Sequence, residues 1–136
     1  MLTIKPGEHG STYGGNPLAC KVAMAALRVL KDEGLAANAE AMGQRVRTGL
    51  ADVASRRPLV ALARGRGLLN AVVVDDTNDK NVAMAVCMRM MERGLLAKPT
   101  HGNIIRLAPP LVISAAQVDE SLAIFEDALA TVDAAK

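Results

Sequence analysis

Leu59-Val60-Ala61-Leu62-Ala63-Arg64-Gly65-Arg66-Gly67-Leu68-Leu69-Asn70-Ala71-Val72-Val73-Val74 contains two short apolar runs separated by a pair of glycines. Residues 59–63 and 68–74 are too short for helices and rich in Val and Leu, so they read as strands, and Gly65-Arg66-Gly67 reads as the turn between them. Two strands joined this way form an antiparallel hairpin. The second run is apolar at nearly every position, which suits a central strand of a sheet.

Helical spacing surrounds this hairpin. Upstream, Leu18, Val22, Ala25, Val29 and Leu30 predict a helix over 17–33 that Gly34 stops. Leu35, Ala39, Met42, Val46, Leu50 and Val53 predict a second helix that ends before Pro58; within it Gly43 and Gly49 are expected to cost about 1 kcal/mol each in helix propensity. Downstream, Asp75-Asp76-Thr77-Asn78-Asp79 is a polar turn into a helix over 81–93, with Val82, Ala85, Val86 and Met90 on its apolar surface and Gly94 as its stop. Residues 95–98 and 104–107 read as short strands around a Pro99-Thr100-His101-Gly102-Asn103 turn. Ser114 and Gln117 form a capping box for a last helix with Val118, Leu122, Phe125, Leu129 and Val132 on its inner face. The fold class is α+β, an antiparallel sheet of three to four short strands backed by helices.

Composition limits the function classes. At 136 residues the chain matches one domain of roughly 100–200 residues with a real core. Apolar residues make up 51%, yet Tyr13 and Phe125 are the only aromatics, so seven methionines and the aliphatic residues must fill the core. A net charge of +2 is too small to argue for nucleic acid, and Arg56-Arg57 and Arg64/Arg66 lack interleaved aromatics. No apolar run reaches the roughly 18–20 residues that span a bilayer, and no secretory leader pattern is present, so neither a membrane protein nor a secreted one is expected. Cys20 and Cys87 both fall on apolar helix faces and read as buried thiols in a reducing compartment. His9 and His101 share no ligand spacing, and no metal site is expected.

Two places carry chemistry. His9-Gly10-Ser11-Thr12-Tyr13-Gly14-Gly15-Asn16-Pro17 puts two hydroxyls and three glycines before a helix start, where Asn16 suits the cap and Pro17 the first turn. Unpaired backbone N–H groups and the positive helix end favour an anion there, and Ser11 and Thr12 can donate to its oxygens. An N-capped turn with no ligand is the alternative. The second place is Arg106, a guanidinium among Ile104, Ile105 and Leu107, whose paired donors match a carboxylate better than a lysine would. Gly65-x-Gly67 does not complete a dinucleotide fingerprint, because Asn70 stands where the next glycine belongs and a strand follows; Arg64 and Arg66 are read as solvated turn residues outside the site.

The string from His9 to Leu18 resembles the loop that reaches into the neighbouring subunit in class III aminotransferases, which depend on pyridoxal phosphate. Gly94-Leu95-Leu96-Ala97-Lys98-Pro99-Thr100-His101-Gly102 and Ile104-Ile105-Arg106-Leu107-Ala108-Pro109-Pro110-Leu111-Val112-Ile113 resemble the ornithine aminotransferase branch of that class, as does the segment from Ala63 to Ala71. The resemblance implies the C-terminal third of a fold-type I aminotransferase. Residues 1–16 would be the edge of the large domain, 17–34 a connecting helix and 35–136 the small C-terminal α+β domain. Ser11 and Thr12 would bind the cofactor phosphate across a homodimer interface. Arg106 would leave a large-domain glutamate to hold the second carboxylate of a 2-oxo-acid substrate. No residue here fits the catalytic role: the six lysines, Lys98 included, all lie outside the Gly-Lys-Ala or Gly-Lys-Ser setting of the family's Schiff-base lysine. The parent is expected to move the δ-amino group of ornithine to 2-oxoglutarate, with amino-acid and 2-oxo-acid substrates, in the cytoplasm or mitochondrial matrix, while this piece alone is expected to be inactive. An acetylornithine- or 4-aminobutyrate-type enzyme and a non-catalytic binding or assembly module are the rivals.

Overall fold

The computed structural model describes residues 3–79 and 81–134. The chain divides into two compact units, Met1–Leu35 and Ala36–Lys136. In the first, a loop leads into helix α1, Pro17–Asp32, which begins at the Asn16 cap and ends at Glu33, with Gly34 at φ +61 turning the chain away. No residue of α1 is buried, and its apolar stripe, including Leu18 and Val22, is exposed. A unit made of one loop and one helix has no second element against which to bury that stripe. Cys20 lies on this helix and is exposed, which corrects its sequence reading as a buried thiol; Cys87 is buried as expected.

The second unit holds α2 (Leu35–Arg56, starting at the junction), β1 (Val60–Arg66), β2 (Leu69–Val74), α3 (Val82–Glu92), β3 (Lys98–Thr100), β4 (Ile104–Leu107) and α4 (Ala115–Asp133). The strands form one antiparallel sheet in the order β1-β2-β4-β3, so β2 and β4 are central and β3 is an edge. Alternation along β2 sends Asn70, Val72 and Val74 into the core, where they join Ile105 from β4, Leu50 and Val53 from α2, Val86 and Met90 from α3, and Phe125 and Leu129 from α4. Each such buried aliphatic or aromatic side chain contributes about 1.5–3 kcal/mol relative to exposure. The Ser114–Gln117 capping box starts α4 as the sequence indicates.

The turns differ from the sequence reading. Strand β1 continues through Gly65 and Arg66, and the hairpin turns at Gly67 and Leu68 instead, with Gly67 at φ +51. Gly67 is the first central residue of a two-residue loop, the place where a positive φ matches the twist of the two strands. Gly65 stays in the ladder opposite Asn70, and only glycine fits there because a Cβ would stand 2.7 Å from the Asn70 Cα. Asn70, 1% exposed, donates from Nδ2 to the Gly67 carbonyl at 3.0 Å, while its Oδ1 has no partner among the described residues. At the far edge, residues 95–97 are not a strand, because the Leu95 N–H bonds the Met90 carbonyl at 3.0 Å and ties this segment to the end of α3. Pro99 and Thr100 belong to β3 instead, and Pro99 is accommodated because an edge strand can spare an N–H. The turn shrinks to residues 101–103, with His101 and Gly102 at positive φ.

Gly43 and Gly49 are helix weaknesses with a packing purpose. A Cβ on Gly43 would lie 2.9 Å from the Gly67 Cα and closer still to its carbonyl group, so α2 approaches the hairpin turn backbone to backbone. At Gly49 the neighbour is the Leu122 side chain of α4. Arg45 pairs through Nε and Nη2 with both Asp119 oxygens at 2.6 Å, and Arg56 bridges Asp52 and Glu126, so exposed ion pairs align α2 with α4.

Candidate functional site

In the first unit the loop before α1 is organised by its own polar atoms. The Ser11 Oγ accepts the Gly14 N–H at 2.9 Å, Asn16 Nδ2 donates to the Tyr13 carbonyl at 2.7 Å, and Asn16 Oδ1 accepts the Ala19 N–H at 2.9 Å. Gly15 takes φ +80, a conformation that spares the turn any strain. The Cys20 N–H already bonds the Asn16 carbonyl at 3.0 Å, and Pro17 has no N–H to offer. Of the first helical turn only the Leu18 N–H is left over. This corrects the expectation of several unpaired helix N–H groups: the asparagine cap consumes them. What the loop presents outward is the exposed pair Ser11 and Thr12; the Ser11 oxygen is used as an acceptor, and its proton remains free to donate. Two hydroxyl donors and one backbone N–H fit part of a phosphate's oxygen set.

In the second unit Arg106 sits on β4, directly opposite Ala71 of β2 and Lys98 of β3. Ile105 beside it is fully buried, so alternation places Arg106 on the opposite, open face of the sheet, where it is exposed. Arg64 of β1 pairs with Ala71, so Arg64, Ala71, Arg106 and Lys98 form a single row across all four strands. This corrects the turn placement of Arg64 and Arg66 but not their exposure: both lie in β1 with side chains in solvent as expected, and Arg64 shares the row of the candidate substrate residue. The strands contain no Asp or Glu, and none of Arg64, Arg66, Lys98 and Arg106 has an ion pair with a described carboxylate. Leu96, Ala97, Lys98, Arg106 and Ala108 enclose a shallow recess of about 280 Å³. A larger, mostly apolar recess of about 550 Å³ beside α4 includes Arg93, Glu120 and Ser121 in its lining. His101 stands exposed in the β3–β4 turn, and no metal-ligating cluster occurs among the described residues. The register of the short strands, and with it the cationic row, was not legible in sequence.

Residues 1–129 match the family described as aminotransferase class III. The chain belongs to the class III aminotransferases. It is 58% identical over 124 residues to the mitochondrial ornithine aminotransferase of Rattus norvegicus, covering 91% of this chain and 28% of the rat protein. It is 59% identical over 122 residues to the Drosophila melanogaster mitochondrial ornithine aminotransferase, covering 90% and 27% respectively. Among solved structures, the acetylornithine aminotransferase from Elizabethkingia anophelis superposes with a TM-score of 0.85 at 52% identity, covering 94% of this chain and 33% of that one. The ornithine aminotransferase of Toxoplasma gondii ME49 does so at 0.85 and 43%, covering 98% and 31%. This class III aminotransferase chain therefore spans about 28% of the rat protein's length, and its fold is that of a small α+β aminotransferase domain.

Proposed function

We propose that this chain is the C-terminal portion of an ornithine aminotransferase that moves the δ-amino group of ornithine to 2-oxoglutarate, giving glutamate semialdehyde and glutamate. Residues 1–16 are the edge of its large domain, 17–34 the connecting helix and 35–136 the small domain. The observation that carries the reading is Arg106, a forked cation held by a buried strand on an open, acid-free sheet face, with no partner among the described carboxylates. Such a fork is available for the carboxylate that distinguishes a dicarboxylic substrate from ornithine. Ser11 and Thr12 donate to a phosphate, and pyridoxal phosphate, when bound, supplies the electron sink that amino transfer requires. No lysine here stands in the setting that would hold the cofactor and shuttle protons, so this piece is inactive alone, and the working unit is a homodimer in the cytoplasm or mitochondrial matrix. The exposed apolar stripe of α1 is surface that the rest of such an enzyme covers.

The likeness to an acetylornithine aminotransferase structure at 52% identity keeps a second donor in view, and one experiment separates the two. The corresponding segment of the rat ornithine aminotransferase is replaced by this chain, and turnover of ornithine and acetylornithine with 2-oxoglutarate is compared. Ornithine turnover within about tenfold of the parent supports the proposal, a barrier change of about 1.4 kcal/mol or less. A folded, cofactor-loaded chimera that prefers acetylornithine overturns it. In the same chimera Arg106→Lys should slow the 2-oxoglutarate half-reaction far more than the ornithine half-reaction, because the charge is kept and the fork is lost.

A further inference from the structure

Arg106 does not stand alone on its strand. Lys98 is its direct cross-strand neighbour, and directly opposed side chains in an antiparallel pair emerge on the same face with Cβ atoms about 4.5–5.5 Å apart. Like charges on directly opposed positions repel, and no described acid relieves them. The repulsion ends when an anion sits between the two heads. The recess lined by Leu96, Ala97, Lys98, Arg106 and Ala108 gives that anion a place, with both cations among its lining residues. Arg64 lies in the same row but beyond Ala71, two strand spacings from Arg106 or roughly 10 Å, close to a Debye length in ordinary buffer. It adds to the general field without reaching the same oxygen atoms.

We propose that Lys98 and Arg106 together form a two-cation subsite for one carboxylate of a short dicarboxylate. Arg106 supplies the directional fork and Lys98 the second positive charge that sets how tightly the carboxylate is held. This rests on the reading of Arg106 as the carboxylate-binding residue and adds Lys98 as a residue that determines specificity.

The test uses the 136-residue chain, isotopically labelled, with glutarate titrated at low ionic strength and backbone amide shifts followed. Lys98→Gln, Lys98→Arg, Arg64→Gln and Arg106→Gln are compared with the unaltered chain; all three positions are exposed, and an unchanged spectrum away from the sheet confirms that each variant is folded. Glutarate is expected to shift amides of β3 and β4. Lys98→Gln should weaken binding about five- to tenfold, Lys98→Arg should retain it, Arg64→Gln should change it less than about twofold, and Arg106→Gln should abolish it. Loss with Arg106→Gln but not with Lys98→Gln overturns the two-cation subsite and leaves the Arg106 reading standing. Equal weakening by Lys98→Gln and Arg64→Gln shows a general field and also overturns it. Undiminished binding in Arg106→Gln, or no shifts in β3 and β4 at all, removes the Arg106 reading and this inference together.

Discussion

Replacing Gly43 by alanine should destabilise the second unit, although helix propensity alone favours the change by about 1 kcal/mol. The new Cβ would lie 2.9 Å from the Gly67 Cα and nearer still to its carbonyl carbon and oxygen. These are backbone atoms of the hairpin turn and cannot rotate away. The same carbonyl accepts from Arg47 Nη1 at 3.1 Å and from the buried Asn70 Nδ2 at 3.0 Å, so pushing the turn outward stretches both bonds. Overpacking costs of about 1–3 kcal/mol or more, together with about 1 kcal/mol for each disturbed hydrogen bond, outweigh the propensity gain and leave a net loss of roughly 2–4 kcal/mol. Gly49→Ala is the internal control. Its Cβ meets the ends of the Leu122 side chain, with Cδ2 at 3.1 Å and Cγ at 3.2 Å, and a rotamer change can relieve the contact. Urea unfolding of the purified chain should show Gly43→Ala losing about 1–2 M in midpoint at unchanged slope, with Gly49→Ala within about 0.5 M of the unaltered chain. A raised midpoint for Gly43→Ala would refute the close approach of α2 to the turn.

Ser114→Ala should cost about 0.5–2 kcal/mol, since it removes the acceptor for the Gln117 N–H at the start of α4; an unchanged urea midpoint would mean that the cap contributes nothing. The Asp119 carboxyl, hydrogen-bonded by Arg45, is held below the usual carboxylate range, so its stabilising share is present above the unfolded value near pH 4 and is lost as pH falls through the lowered folded value. Asp119→Asn should flatten that part of the acid limb in urea midpoints measured between pH 5 and 2, and superimposable profiles would count against the pair. A thiol reagent at neutral pH should modify the exposed Cys20 promptly and Cys87 only after unfolding, because burial both shields the Cys87 thiol and pushes its pKa up. Prompt reaction of both thiols in the folded chain would contradict the buried position of Cys87.

Periodicity alone was enough to locate the four helices, the capping box at Ser114 and the central character of β2, because burial on one face repeats at intervals that a linear reading detects. Residues 9–17 and Arg106 could be singled out as candidates from sequence for a similar reason: the choice depends on the chemistry of residue types and on near neighbours. Tertiary structure decided whatever joins residues distant in sequence. The glycines at 43 and 49 look like defects until α2 is laid against the turn at Gly67 and against Leu122. Cys20 and Cys87 have equally apolar neighbourhoods in sequence, and only packing separates the exposed thiol from the buried one. Pro99 and Thr100 read as turn until the sheet order makes their strand an edge. Arg64, Arg106 and Lys98 meet in one row only through strand register. Register follows from which hydrophobic faces must be buried together, and a shift of one residue would send every one of these cations to the opposite face of the sheet.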